Sequence, residues 1–215
     1  GVDAFAKYQI ENEGEILDPG TGFPLVEKLL NLGCDEFPIE VVLLSKNSSD
    51  TGLRVFNSIE HYGLNITRAA FTGGSPTHPY ASTFDAKLFL SGDESEVMAA
   101  LDNGIPAATI LESSRNADSD QLRIAFDGDV VLFSDEAEVI YREKGLGAFE
   151  NNEREKYDIP LGDGPFKEFL KVIQKIQSCF PSDDNPVRTA LVTARSAPSH
   201  KRVIHTMRDM GIRID

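Results

Sequence analysis

The chain alternates between two rhythms of apolar residues. Short, largely apolar runs at 39–44, 66–71, 87–90, 107–111, 189–192 and at 124–126, ahead of Asp127-Gly128-Asp129, predict strands. The run at 39–44 is nearly continuous, as in a strand covered on both faces. Between these runs the apolar positions recur at helical spacing. Residues 23–32 predict a helix with Pro24 in its first turn and Gly33 as its stop. Residues 51–62 place Leu53, Phe56 and Ile59 on one face and end at Gly63. Further helices are predicted at 94–103, 136–144, 166–179 and 199–210, with Gly104 and Gly211 closing the first and last. Polar stretches at 113–120, 151–156 and 181–186 predict a linker, a separator and a loop. Strands alternating with helices predict an α/β fold built on a mostly parallel sheet with helices on both faces.

Composition narrows the class. At 215 residues the chain can form one large or two small domains. No apolar run approaches the roughly 20 residues of a membrane span. The opening Gly1-Val2-Asp3-Ala4 has neither the basic start nor the apolar stretch of a secretory leader, so a cytoplasmic protein without membrane attachment is expected. A net charge of −14 argues against a nucleic-acid polymer as partner, because that affinity comes from Lys and Arg on phosphates. A small phosphorylated substrate is still allowed, since a metal ion in a pocket overrides the global field locally. Cys34 and Cys179 have no metal-ligand spacing and read as idle thiols. A homo-oligomer is compatible with all of this.

The candidate chemistry lies where the strands end. Ile124-Ala125-Phe126-Asp127-Gly128-Asp129 carries two carboxylates off an apolar strand, with a turn expected at Gly128. Open α/β folds bind ligands at that carboxyl edge. Two acids this close repel unless a cation or a shared proton relieves them. The pair suits Mg²⁺-assisted phosphoryl transfer, with one acid attacking and the other handling protons. A solvated turn or a calcium-type loop would use the same residues. A second strand, Ala190-Leu191-Val192, ends in Thr193-Ala194-Arg195, a turn offering a hydroxyl, backbone amides and a guanidinium to an anion. The histidines His61, His78, His200 and His205 read as surface groups, and Lys46 as a turn lysine or a phosphate contact.

Asp127-Gly128-Asp129-Val130 and Thr193 resemble the first and second motifs of the haloacid-dehalogenase-like phosphatases. LRIAFDGDVVLFSDEAE at 122–138, LVTARSA at 191–197 and NSIEHYGLNITRAAFTGG at 57–74 are similar, more narrowly, to the cytosolic type I 5'-nucleotidases. The resemblance implies a three-layer Rossmann-like fold and hydrolysis of nucleoside 5'-monophosphates. It implies that Asp127 attacks phosphorus to form an aspartyl-phosphate. Asp129 would protonate the leaving ribose oxygen and then activate water. Thr193 would hold the phosphoryl group, with Mg²⁺ at Asp127 and the carbonyl of Asp129; by their place in the same turn Ala194 and Arg195 are phosphate-binding candidates beside it. It also implies a third-motif Lys and a fourth-motif acidic cluster beyond Asp215, so the half at 118–215 is expected to be truncated relative to the family. The half at 1–117 shows the same strand, acid, helix order and reads as a diverged repeat, in which Asp93 could add a metal ligand. Two other readings stay open: a phosphatase of another small phosphate ester, and an inactive nucleotide-binding protein.

Overall fold

A computed structural model describes residues 1–112, 120–195, 197, 199–212 and 214. The chain divides into two compact units, Gly1–Ser119 and Asp120–Asp215. All but the last residue of the expected linker at 113–120, and with it the expected boundary between residues 117 and 118, lies outside the described residues.

The first unit runs α1 (Val2–Glu11), α2 (Phe23–Asn31), β1 (Val42–Ser45), α3 (Leu53–His61), β2 (Arg68–Phe71), α4 (His78–Thr83), β3 (Phe89–Ser91), α5 (Glu94–Asp102) and β4 (Ala107–Thr109). Strand β1 pairs in parallel with β2, and β3 with β4. Ala81, Phe89, Val97, Ala100, Ile105 and Ala107 form its core, with Leu44 of β1 packed against them. Helix α5 begins at Asp93, whose carboxylate accepts from the Ser95 amide and satisfies a donor the helix cannot. Gly73 and Gly74, at φ 58° and 94°, send their amides back to the carbonyls of Asn47 and Lys46, so the Thr72-Gly73-Gly74 run is a turn tying β2 to the end of β1.

The second unit runs β5 (Leu122–Asp127), α6 (Glu136–Glu155), α7 (Lys167–Ser178), β6 (Val187–Val192) and α8 (His200–Asp209). Strands β5 and β6 are parallel, with Asp127 opposite Val192. One face of β5, Leu122 and Phe126, is buried, and the Phe126 ring lies 6.2 Å from that of Phe169 on α7. The other face carries the exposed Arg123, Ala125 and Asp127.

An α/β fold is therefore present, as predicted. Among the described residues its strands form three parallel pairs rather than one sheet, and β5–β6 leaves one face open. Three local expectations are corrected. The polar stretch at 151–156 does not separate helices, because α6 runs through it to Glu155 with its break at Gly145, φ 78°. The turn after Asp127 is not made at Gly128. A wide turn over Gly128–Leu132 closes with the Phe133 amide on the Gly128 carbonyl, and Val130 takes the positive φ of 67°. Neither Cys34 nor Cys179 is a free thiol.

Candidate functional site

Both acids of the Asp-Gly-Asp motif reach the carboxyl end of β5, and Thr193 follows directly on β6 beside them. Strand alternation decides their exposure. Phe126 points into the core, so Asp127 points out. Its carboxylate accepts no hydrogen bond from any described residue. Val130 beside it pays for the turn with a backbone geometry that a β-branched side chain rarely adopts. The turn is braced from the far side by Gly164. A Cβ there would come within 2.6 Å of the Leu132 carbonyl carbon and 2.7 Å of the Phe133 oxygen, and nearer still to the Val131 oxygen.

Asp129 is committed. Its Oδ1 accepts from Arg195 Nε at 2.9 Å and from the terminal guanidinium nitrogen at 2.5 Å. Thr193 Oγ1 donates to its Oδ2 across 3.4 Å, and the Arg195 amide donates to Thr193 Oγ1 at 3.2 Å. Thr193, Asp129 and Arg195 thus come together. Ala194 sits exposed at the same turn. Arg195 was expected to face a phosphate, but in this structure its fork holds Asp129 on one side and Glu153 of α6 on the other. The ring of Phe149 lies 5.4 Å from the guanidinium carbon.

Glu153 is the residue that sequence reasoning missed. Its side chain is fully buried, and it pairs with Arg195 and with Arg202 of α8, each 2% exposed. Arg202 continues the chain to Glu136 at 2.7 Å and donates to the carbonyl of Ile159. No local pattern marks Glu153, since its partners lie 42 and 49 residues away.

A second polar cluster closes the strand ends of the first unit. Lys46, just past β1, bridges Asp93 at 2.8 Å and Glu96 at 2.9 Å. Glu96 is buried and also accepts from Thr77 and from the amide and ring of His78. Burial pushes the Glu96 carboxyl up, but the bonds from Lys46, His78 and Thr77 outweigh it and hold it at about 2. Hydrogen bonds from Lys46 and Ser95 hold Asp93 well below the usual carboxylate range. Lys46 is raised by the same two acids. Two readings change here. His78 is a half-buried partner of Glu96 rather than a surface group, and Lys46 is committed to two carboxylates. Asp93 is accounted for as a helix cap and ion-pair partner.

Among the described residues no three His, Cys, Asp or Glu side chains stand together as a metal site. Mg²⁺ asks for less, commonly one or two carboxylates plus phosphate oxygens and water. The uncommitted oxygens of Asp127 are donors of that kind, so the motif fits a hard cation that arrives with its phosphate.

Comparison with known proteins adds an independent line. A family model described as 5'-nucleotidase matches residues 1–215. The chain is 37% identical over 230 aligned residues to a human protein named cytosolic 5'-nucleotidase 1B. That alignment takes in all of this chain and 38% of the relative, so the chain spans well under half the relative's length. No solved structure matches significantly.

Proposed function

The chain belongs to the cytosolic type I 5'-nucleotidase family, and from that premise we propose that it hydrolyses nucleoside 5'-monophosphates to nucleoside and phosphate in the cytoplasm. One observation carries the reading. At the carboxyl ends of two paired parallel strands, an exposed, uncommitted carboxylate at Asp127 stands beside Asp129 and the Thr193 hydroxyl that approaches it.

In this mechanism an Asp127 oxygen attacks phosphorus as the bond to the ribose 5'-oxygen breaks. Asp129 gives its proton to that leaving oxygen. It then takes a proton from water, whose oxygen attacks phosphorus, releases phosphate and restores Asp127. The Thr193 hydroxyl and the amides of Ala194 and Arg195 hold the phosphoryl oxygens. For Asp129 to carry a proton, Arg195 must release it, and a bound phosphate offers the guanidinium another bidentate partner. Mg²⁺, held by Asp127 and the Asp129 carbonyl, would neutralise charge on the phosphoryl oxygens. The fold that suits this chemistry is a haloacid-dehalogenase-like three-layer sheet in two related halves. The order strand, polar turn, helix, which recurs at β1, β3 and β5, supports it.

Phosphate release from AMP, other nucleoside monophosphates and simple sugar phosphates, with and without Mg²⁺, tests the reading. Wild type should prefer nucleotides and need the cation. Asp127→Asn should lose about a thousandfold or more in kcat. Equal rates in both proteins would remove Asp127 as the attacking group. Nucleotide binding without turnover in wild type would leave only the inactive alternative.

A further inference from the structure

The second unit has a cleft of about 490 Å³ that the proposed chemistry does not use, set between the end of α6 and the outer face of α8. Its volume falls in the range of about 300–1,000 Å³ typical of small-molecule sites. Lys201, Ile204, His205 and Arg208 line it from α8, at the spacing that puts them on one helix face. Arg154 and Tyr157 line it from the opposite side, and the Tyr157 and His205 rings meet edge to face at 5.7 Å.

The charge of the cleft is unusual for this chain. The net charge is −14, and most described basic side chains stand in ion pairs, among them Lys46, Lys167, Arg195 and Arg202. The side chains of Arg154, Lys201 and Arg208 make no hydrogen bond or ion pair with any described residue. The carboxylate in the lining, Glu153, is fully buried and already shared by Arg195 and Arg202. Arg154 and Arg208 lie in the last turns of their helices, where the helix dipole favours a cation. Lys201 lies in the first turn of α8, where the dipole disfavours one, so helix stability does not explain it.

We propose that this cleft is a binding site for a small anion carrying two or more linked phosphate groups. Lys201 and Arg208 stand seven positions apart on the helix, about 10 Å along the axis. Cations at the two ends of such a strip suit an extended anion better than a single phosphate. Ile204 and the Tyr157 ring supply an apolar wall for whatever the phosphates are attached to.

Calorimetric titration of the chain with inorganic pyrophosphate, and separately with orthophosphate, tests this. Pyrophosphate should bind saturably at one site and orthophosphate about tenfold or more weaker. Lys201→Ala/Arg208→Ala should weaken pyrophosphate at least about tenfold, and Arg154→Ala should weaken it from the other helix. All three side chains are exposed, so circular dichroism should show unchanged folds. Thr193→Ala should leave the binding intact. The proposal is overturned by absence of saturable binding, by equal affinity for the two anions, by insensitivity to the cleft variants, or by loss in Thr193→Ala alone.

Discussion

Replacing Glu153 by Gln removes one negative charge and almost no volume from the centre of the second unit. The Glu153 side chain is fully buried and the two guanidiniums it holds are each 2% exposed, so solvent cannot take over the pairing. Breaking a buried pair by removing one partner costs about 3–5 kcal/mol, because it leaves an uncompensated buried charge. Here each arginine keeps a second carboxylate, Asp129 for Arg195 and Glu136 for Arg202, and Glu136 is 41% exposed. That places the expected loss near the lower end, about 3 kcal/mol. With a urea dependence of about 2 kcal/mol per molar for a unit of this size, the midpoint should fall by about 1.5 M. The chain has no Trp, so far-UV circular dichroism of the full chain is the suitable probe. Glu138→Gln is the matched control. It breaks an ion pair with Arg142 on the surface of the same helix and should cost about 0.5 kcal/mol or less. A midpoint for Glu153→Gln no lower than that of Glu138→Gln would refute the account of Glu153 as the shared counter-charge.

Gly164→Ala forces a methyl against the backbone of 131–133, which should cost about 1–3 kcal/mol and appear as a lower urea midpoint. Acid should weaken the first unit in a defined window. Glu96 at about 2 and the lowered Asp93 lie below the 4.5 and 3.8 of unperturbed carboxyls. Their stabilisation is therefore complete above about pH 4.5 and disappears as pH falls towards 2. Lys46→Met should flatten that slope in urea midpoints taken between about pH 5 and 2; an unchanged slope would remove Lys46 as its cause. Arg195→Lys keeps the charge but not the fork that spans Asp129 and Glu153, so the KM for a nucleoside monophosphate should rise about tenfold in steady-state assays.

Elements whose reason is local were legible in the sequence. The helices at Phe23–Asn31, Glu94–Asp102 and His200–Asp209 carry their stop signals within a few residues, and all three are found close to the predicted bounds. Phe126 and Phe133 each belong to an apolar run and are buried. The placement of Asp127, Asp129 and Thr193 at the ends of two neighbouring strands was legible for the same reason, since apolar runs of strand length precede them. What stayed hidden depends on partners far along the chain. Helix α1 has no buried residue, so it offered little periodicity to detect. His78 looked like a surface group because Glu96, which holds it, lies 18 residues on. Residues 151–156 looked like a separator because the two arginines that make Glu153 a core residue stand on other elements. Gly128 suggested the turn by its backbone freedom, whereas the positive φ falls on Val130, in a segment that packs closely against Gly164.

The run Asp129, Arg195, Glu153, Arg202, Glu136 alternates in sign but begins and ends on an acid. With Asp127 beside it, four carboxylates face two guanidiniums. Neither guanidinium can turn towards an incoming dianion without stripping a carboxylate of its counter-charge. The strand ends are thus electrostatically overdrawn before any ligand arrives. A phosphate ester can settle there only together with positive charge brought from elsewhere, which makes occupancy of this corner an ionic co-binding event whose affinity should rise with the concentration of a divalent cation.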